Sequence, residues 1–215
     1  MALNNFAYES GFLNDGNETI SDIPMTHAKG LELTIASPII DAATLTMAKN
    51  HYKINHDNDD DAIKRNLRTA VSQIEAYTNR TIVERQITAR WKRTPYNITL
   101  PRPPHGSISS VKSIDDDGTE TTLTLNTDYY VVGNKVKLLS GVNSVSASLE
   151  VIYTAGYGKD YDTIPEWATD AVIFQLGVLY SNFDTAMGTR VYNDKARLDE
   201  RALSACEPHV FYGDN

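Results

Sequence analysis

Four residues near the middle of the chain, Asp115, Asp117, Gly118 and Thr119, occur in the order D-x-D-G-T within the stretch SIDDDGTETTL. Two aspartates at this spacing could carry out phosphoryl transfer, the first attacking phosphorus and the second acting as acid and base, with Mg²⁺ bound by both. That chemistry needs the loop to follow a buried parallel strand, which is written as a continuous apolar run. The residues around the four therefore decide whether the chemistry is available.

The flanking residues do not have the required character. Val111 to Ile114, with the sequence VKSI, is half polar, and Thr121 to Leu125 has the pattern of another strand. Asp-Asp-Gly is typical of a hairpin tip, because Asp and Gly tolerate the backbone angles of tight turns. We therefore predict a turn between two strands. A metal-dependent phosphatase using Asp115 and Asp117 is kept as the enzyme alternative.

The other reactive residue types do not form a recognisable site either. Asp57 to Asp61 offers carboxylates at the first positions of a calcium loop, but Ala62 stands where that loop needs glycine and Arg68 where it needs glutamate. The histidines, at positions 27, 51, 56, 105 and 209, include no pair at metal-binding spacing. Cys206 falls on the apolar side of a predicted helix, where a buried thiol is expected. We expect no enzyme activity, no cofactor and no metal.

Composition narrows the function classes further. The 215 residues are 41% hydrophobic and 22% charged, and no apolar run approaches the roughly 20 residues that a membrane span needs. The net charge of −8 disfavours broad binding to a nucleic-acid backbone, which requires clustered Lys and Arg. A single cysteine suits a reducing compartment, and the first residues lack the features of a secretory signal. A soluble protein without a membrane partner is expected.

Periodicity divides the chain into an arm, a core and a tail. Residues 1–36 show no sustained period and are predicted to form an extended N-terminal arm. The core, residues 37–183, is predicted to contain helices at 41–50, 59–80 and 165–183 and a β-region at 82–155. Residues 184–215 are expected to form a loop, a helix from 194 to 206 and a docking tail.

Two helices carry the strongest signals. In the helix at 59–80, apolar residues recur at steps of three and four and form one stripe, which consists of Ile63, Leu67, Ala70, Ile74 and Tyr77. In the helix at 165–183, the segment from Ala171 to Tyr180 is apolar almost all round, so more than one side must be covered. We expect neighbouring subunits to pack against this helix through Trp167, Phe174, Leu176 and Tyr180.

The β-region follows a period of two. Apolar residues alternate with polar ones in two segments, at Ile87, Ala89 and Trp91 and again at Leu149, Val151 and Tyr153. Gly133-Asn134 is a two-residue hairpin signal, across which Tyr130 and Val132 are expected to face Val136 and Leu138. The region is predicted to be a small antiparallel sheet with tight turns.

The order of these elements and of three local motifs is similar to a known family. The motifs are Ile74-Glu-Ala-Tyr-Thr-Asn-Arg80, Leu100-Pro-Arg-Pro-Pro104 and Val151-Ile-Tyr-Thr-Ala-Gly-Tyr157, and they are followed by Ile164-Pro165 and the long apolar helix. Together they resemble the head-tail connector, or adaptor, proteins of tailed bacteriophages over residues 38–183.

This resemblance implies an α+β fold, mainly a helical bundle with an inserted small antiparallel β-region. It also implies a structural virion protein at the head-tail interface, made in the host bacterial cytoplasm, whose copies form a ring expected to be twelve-fold. Such a ring would dock beneath the portal protein, join the DNA-filled head to a tail or stopper protein, and let DNA pass without sequence-specific binding. A tail-side stopper or terminator ring protein is the alternative, although a mostly β chain would then be expected.

Contacts with the portal are expected from the C-terminal segment. Exposed arginines and aromatics often anchor interfaces, because they bury a large area or make forked hydrogen bonds. The residues of this type after the long apolar helix are Arg190, Tyr192, Arg197, Arg201, Phe211 and Tyr212. The competing interpretation is that Phe211 and Tyr212 fold back onto their own subunit.

Overall fold

The computed structural model describes residues 30–95, 98–139, 142, 148–184 and 198–212. Within these residues the helices are α1 (Ala42–Tyr52), α2 (Asp60–Thr78), α3 (Glu166–Asp184) and α4 (Glu200–Cys206). The strands are β1 (Leu31–Ile35), β2 (Arg85–Trp91), β3 (Ile98–Thr99), β4 (His105–Ile114), β5 (Glu120–Thr122), β6 (Tyr129–Val132), β7 (Lys135–Leu138) and β8 (Ser148–Ala155). Helices and antiparallel sheets occur together, which confirms the predicted α+β class.

The helical layer is centred on α2 and α3, which pack against each other. The predicted stripe on α2 is buried at Ile63, Leu67, Ala70 and Ile74. Its last member differs, since Tyr77 is 39% exposed and Thr78 is buried instead. Position 78 lies one turn after Ile74, and the Thr78 hydroxyl can enter the core because it donates to the Ile74 carbonyl at 2.8 Å. No helix in the described part of the chain is both long and apolar enough to cross a membrane.

The larger sheet is antiparallel, with the strand order β1-β2-β8-β4-β5. Its inner face carries the predicted alternating residues, among them Ile87, Ala89 and Tyr153, all fully buried. β1 departs from the prediction, because residues 31–35 were expected to belong to the arm. Leu33 is 1% exposed and pairs with Ala89 of β2. Five residues are too few to show a sustained period, so only the pairing with a distant strand reveals them.

Charges on the outer face of this sheet are paired across neighbouring strands. Three such pairs are Glu32 with Lys92 at 3.2 Å, Arg90 with Glu150 at 3.6 Å, and Lys112 with Glu120 at 2.9 Å. Exposed pairs of this kind add little stability. Each pair neutralises one positive side chain with a glutamate. These residues therefore do not form a positive stripe for nucleic acid.

The smaller sheet has the strand order β3-β7-β6 and contains the predicted hairpin. Its turn is made by Gly133 and Asn134, with Gly133 at a φ of +60°. The facing residues differ from the prediction, since Val131 pairs with Val136 and Tyr130 with Lys137. β6 is an edge strand of this sheet, and Tyr130, Val131 and Val132 are exposed by 36%, 39% and 56%.

The two layers meet at the proline-rich segment and at the end of β8. The Pro103–Pro104 peptide bond is cis. The carbonyl of Pro103 accepts from the Thr81 N–H at 3.1 Å, and that of Pro104 accepts from the Gly156 N–H at 3.0 Å. Gly156 has a φ of +126°, and a Cβ there would lie 2.4 Å from the Cα of Glu84. Only glycine fits this junction.

The C-terminal helix begins later than predicted. α4 starts at Glu200, and residues 194–197 of the predicted helix lie outside the described residues. Asp199 caps the helix, since its carboxylate accepts from the Arg201 N–H at 2.9 Å. Ala202 and Cys206 are buried on the inner side, as their spacing predicts.

Candidate assembly surfaces

The stretch with two spaced aspartates is an exposed turn between β4 and β5. The Asp115 carbonyl accepts from the Gly118 N–H at 2.9 Å, and Gly118 has a φ of +88°. The Asp117 carboxylate accepts from the Thr119 N–H at 2.9 Å, and this bond lowers the pKa of Asp117 below its usual value. Hairpin geometry thus accounts for these residue types, and the predicted turn is confirmed. Among the described residues, no cluster of three or more His, Cys, Asp or Glu side chains could hold a metal.

The turn interpretation predicts a tolerant site. Changing both Asp115 and Asp117 to asparagine is expected to leave the urea unfolding midpoint unchanged, since the Asn carbonyl can accept the same hydrogen bond from Thr119. The matched control Gly118→Val should lower the free energy of unfolding by about 1–2 kcal/mol, because a β-branched residue is strained at positive φ. A loss of Mg²⁺ binding or of phosphoesterase activity in the double asparagine variant would restore the catalytic interpretation.

The second acidic cluster is engaged in fastening helices. The Lys49 ammonium of α1 contacts the carboxylates of Asp57 at 2.6 Å and Asp60 at 2.7 Å. The hydrogen bond from Lys49 lowers the pKa of Asp57, and the bond to Asp57 is the main cause that raises the pKa of Lys49. These charges thus connect α1 to the start of α2. The carboxylates also interact favourably with the positive N-terminal end of α2.

Cys206 is a core residue of α4. Its side chain is fully buried, and burial raises the pKa of the thiol to about 11. A thiol that stays protonated near neutral pH is a poor nucleophile. The thiol lies 3.6 Å from the carbonyl of Leu203, as expected for a cysteine that fills space in a helix interface.

Much of the apolar surface of α3 is covered within the same chain. Leu176 is 1% exposed and lies in the core between the helices. Phe174 is only partly buried and has the Arg201 guanidinium 4.9 Å from its ring centroid. The Tyr180 hydroxyl donates to the Asp59 carboxylate at 3.1 Å. The subunit-interface role stays a prediction for the partly exposed Trp167, Phe174 and Tyr180, whereas Leu176 is enclosed by its own subunit.

A buried polar side chain fastens α4 to α3. Gln175 is fully buried; its amide N–H donates to the Gln73 side chain at 2.8 Å, and its carbonyl oxygen accepts from the Asp199 N–H at 2.9 Å. A buried amide with both ends bonded fixes its neighbours in one arrangement. The start of the C-terminal helix is therefore held against α2 and α3.

A buried network of charged residues is centred on Glu75, whose role the sequence pattern did not indicate. Glu75 is 4% exposed, and its carboxylate forms a forked ion pair with Arg85 of β2, with one contact of 2.9 Å. The same carboxylate accepts from the Ile82 N–H at 2.7 Å. Arg102 is 2% exposed and donates to the Glu75 carbonyl at 2.6 Å. Burial lowers the pKa of Arg102, while the Glu75 charge opposes this shift.

A half-buried histidine, His105, lies at the start of β4. The His105 ring is 3.0 Å from the Pro101 carbonyl and 5.7 Å, centroid to centroid, from the Tyr153 ring. Burial lowers the pKa of His105 below its ordinary value of 6.5, although hydrogen bonds to backbone carbonyls act in the opposite direction. Burial likewise raises the pKa of Tyr153, whose hydroxyl donates to the same Pro101 carbonyl. The folded state therefore favours the neutral form of the His105 ring.

A pH dependence follows from the depressed pKa of His105. The unfolded chain takes up this proton at higher pH than the folded one, so stability is full above pH 6.5 and falls as the pH drops through the folded pKa. The slope from one such group is at most about 1.4 kcal/mol per pH unit. Urea unfolding at pH 7.5 and 5.5 should show a smaller acid loss for His105→Gln than for the wild type. The same acid loss in both proteins would remove His105 as the cause.

The end of the described chain folds back onto the helical layer. The His209 ring stacks on Trp167 with centroids 4.3 Å apart, and the Arg80 guanidinium donates to the His209 carbonyl at 2.5 Å. The Phe211 N–H donates to the Thr78 carbonyl at 2.8 Å. Tyr212, by contrast, is 84% exposed. The interpretation in which the tail folds back onto its own subunit therefore applies to Phe211, whereas the Tyr212 side chain stays exposed.

The predicted portal-binding residues are only partly described. Arg190, Tyr192 and Arg197 lie outside the described residues. The Arg201 side chain is exposed and bonded to its own neighbour Asp199 at 3.0 Å. The backbone bond of Phe211 brings Tyr212 to the end of α2, where Tyr77 is also exposed. We call Tyr77 and Tyr212 the terminal tyrosine surface.

Two other apolar surfaces occur in the described part of the chain. The hairpin surface consists of exposed residues on and beside β6 and β7: Leu125, Tyr130, Val131, Val132 and Leu139. The apolar groove lies where the segment before α1 meets α2, α3 and the loop after β8. Ile39 stands at this groove and is 81% exposed.

Comparison with known families gives one match. Residues 42–125 match the family model described as "Phage gp6-like head-tail connector protein". This segment includes α1, α2 and the strands up to β5, and it contains two of the three motifs on which the predicted resemblance depends. The resemblance to head-tail connector proteins is therefore confirmed. No curated protein sequence matches the chain.

Solved structures share the fold over most of the chain. A chain in the neck of an empty GTA particle, computed with C6 symmetry, has a TM-score of 0.63 and 15% identity, covering 84% of this chain and 97% of that one. A chain of the native gene transfer agent virion has the same TM-score and coverage, with 17% identity. A chain in the neck of the native GTA particle, computed with C12 symmetry, has a TM-score of 0.58 and 17% identity, covering 83% and 96%. These findings support a structural head-tail joining protein of a phage-like particle.

Proposed function

We propose that copies of this protein form a ring that docks beneath the portal and joins the DNA-filled head to the tail, leaving a channel for DNA. The observation that carries this proposal is the combination of the connector-family match over residues 42–125 with a neck-protein fold that covers nearly the whole of the matched chain. The necks of the similar particles were computed with C6 and C12 symmetry, which supports a ring, here proposed to be twelve-fold.

Charge supports passage of DNA through such a ring without tight binding. The net charge is −8, and the outer face of the larger sheet pairs its lysines and arginines with glutamates. A DNA-binding surface would instead need unpaired Lys and Arg along one stripe. The proposed site of action is the virion, at the head-tail interface, with synthesis in the host bacterial cytoplasm.

The portal contact is proposed to lie at the C-terminal end of the chain. Tyr212 is 84% exposed although a large aromatic ring gains from burial. It shares the terminal tyrosine surface with Tyr77, and Arg201, in the first turn of α4, provides an exposed guanidinium. Arg190, Tyr192 and Arg197 belong to the same proposal. On the subunit-interface side, Trp167, Phe174 and Tyr180 are proposed to supply part of the contact between neighbours.

A tail-side stopper or terminator would also form a ring, but it was expected to be mostly β. Two helices of 19 residues each, α2 and α3, build one of the two cores here. This observation favours a connector. A phosphatase using Asp115 and Asp117 would have to work from an exposed hairpin turn, and a Mg²⁺-stimulated assay on a generic phosphoester would detect it.

The proposal is tested by imaging the purified protein by electron microscopy, alone and mixed with its portal. We expect rings of uniform subunit number that bind one face of the portal ring. Heads assembled without the protein should lose DNA or fail to gain tails, and adding the purified protein should restore both. A protein that remains monomeric at all concentrations and does not bind the portal would overturn the proposal.

A further inference from the structure

We propose that residues 5–9 of the N-terminal arm add to the smaller sheet as a further strand, next to β6. This sheet has the order β3-β7-β6, so among the described residues β6 has a partner strand on one side only. Residues 1–29 lie outside the described residues, and their sequence supplies the segment. Strand addition of this kind does not require the ring proposed above.

The backbone of β6 offers hydrogen bonds at its free edge. The Tyr129 carbonyl accepts from the Asn126 N–H at 2.7 Å, and Leu125 bridges to Tyr129 on that side. Because backbone groups alternate in direction along a strand, Val131 directs its N–H and carbonyl to the same side as Tyr129. No described strand lies there beyond the Leu125 bridge. Such an edge is a template for pairing with another segment.

The side chains at this edge are uncovered on both faces of β6. On the core face, Ile98, Val136 and Val131 form one row across the three strands. Ile98 and Val136 are fully buried, whereas Val131, at the end of the row, is 39% exposed. Tyr130 and Val132 are exposed on the outer face. A flat partner would cover one face only, whereas the alternating side chains of an added strand cover both.

The N-terminal arm contains a segment with the matching pattern. In Asn5-Phe-Ala-Tyr-Glu9, the aromatic Phe6 and Tyr8 alternate with Ala7 and Glu9. Aromatic residues favour strands and pair well with β-branched residues, which β6 supplies. The segment contains no proline, so each of its backbone N–H groups can donate. Like β1, which was also expected to belong to the arm, it is too short to show a sustained period.

Length and charge suit the arm to this edge. The 21 residues from 10 to 30 span roughly 70 Å when extended, so the segment can reach β6 from the start of β1. Residues 1–29 contain one lysine and four acidic residues, which are Glu9, Asp15, Glu18 and Asp22. β6 carries no charge, and Lys137 of β7, opposite Tyr130, is exposed. The carboxylate before β6, Asp128, accepts from the Thr124 N–H at 2.7 Å. An acidic arm is therefore attracted to the cation of the hairpin.

Hydrogen exchange tests the pairing at one amide. The Val131 amide should exchange at least about tenfold more slowly in the wild type than in Phe6→Ser with Tyr8→Ser, because a hydrogen bond to the arm protects it. The matched control, Ile20→Ser with Ile23→Ser, changes the same arm outside the segment and should keep the wild-type rate. The Val136 amide, on the central strand, should exchange alike in all three proteins. Equal Val131 rates in all three would overturn the inference.

Cysteine pairing identifies the occupant. With the aromatic pair on the core face, Ala7 lies on the outer face with Val132. Ala7→Cys with Val132→Cys should therefore form a disulfide in air, within one chain or between two copies, and either product places the arm at the hairpin. Ala7→Cys with Arg65→Cys, on the exposed face of α2, is the control and should stay reduced. Cys206 is buried and does not compete.

Other results would assign the edge differently. A disulfide dimer of Val132→Cys alone, with no product from the Ala7 pair, would place a second copy of β6 at the edge and overturn the inference. Both experiments use the free protein, so their failure leaves the ring to be judged by electron microscopy. Absence of a ring would in turn leave the exchange rates and the disulfide as the measure of strand addition.

Discussion

Replacing Glu75 with leucine is expected to lower the free energy of unfolding by about 3–5 kcal/mol, because it leaves a buried cation without its partner. The side chains of Glu75 and Arg85 are only 5% and 10% exposed. The Ile82 N–H, which donates to Glu75 at 2.7 Å, would also lose its acceptor. Removing one member of a buried network costs more than the net stability the pair supplies.

A double-mutant cycle separates the pair from its burial. Arg85→Met alone should also destabilise, since Glu75 would be left as a buried anion. The double variant Glu75→Leu with Arg85→Met should lose less than the sum of the two single losses. Urea unfolding followed by circular dichroism provides the measurement. A loss below about 1 kcal/mol for Glu75→Leu would mean that water reaches Arg85 in the variant.

Elements with strong local signals were predictable from the sequence. The stripe of α2 and the start of α3 after Pro165 depend on spacing and on backbone chemistry within a few residues. The hairpin at Gly133-Asn134 and the turn at Asp115 to Gly118 depend on residues that accept positive φ. Local chemistry of this kind acts the same way whatever the rest of the chain does.

Features that depend on distant partners were not predictable in the same way. Glu75 lies on the buried side of α2, where a charged residue would be expected at the surface, and its partners are on β2 and on the following turn. Arg102 lies between prolines, and its guanidinium donates to the Glu75 carbonyl in the last part of α2. β1 becomes a strand only through its pairing with β2. Each of these depends on contacts between separate segments.

The candidate subunit interface on α3 was also only partly predictable from the sequence. The pattern of α3 indicates correctly that more than one side needs cover, but it does not tell whether the cover comes from the same chain. Leu176 is enclosed by its own subunit, and α4 supplies part of the cover. The alternating pattern of the hairpin predicts one covered face, whereas Tyr130, Val131 and Val132 are all exposed. Their exposure depends on the position of β6 at the edge of the smaller sheet, which the order of strands decides.

Two deletions at the C-terminus are expected to have different consequences. Removing residues 209–215 takes away the stacking of His209 on Trp167 and the backbone bonds to His209 and Phe211. At about 1 kcal/mol for each interaction, the free energy of unfolding should fall by about 2–4 kcal/mol. A failure of this variant to join heads would therefore reflect a weakened subunit as much as a lost portal contact.

Removing residues 212–215 alone separates docking from packing, because Tyr212 is 84% exposed and the residues described as packed, His209 and Phe211, are retained. The unfolding midpoint should match that of the wild type, since exposed side chains contribute little to stability. Binding to portal-bearing heads should nevertheless weaken by about tenfold or more, since a buried tyrosine is a frequent anchor of interfaces. Tyr212→Ala should reproduce this loss, and Tyr212→Phe should keep most of the binding. Normal joining by the 212–215 deletion, with normal stability, would move the portal contact away from the end of the chain and toward Arg201 or the region of residues 190–197.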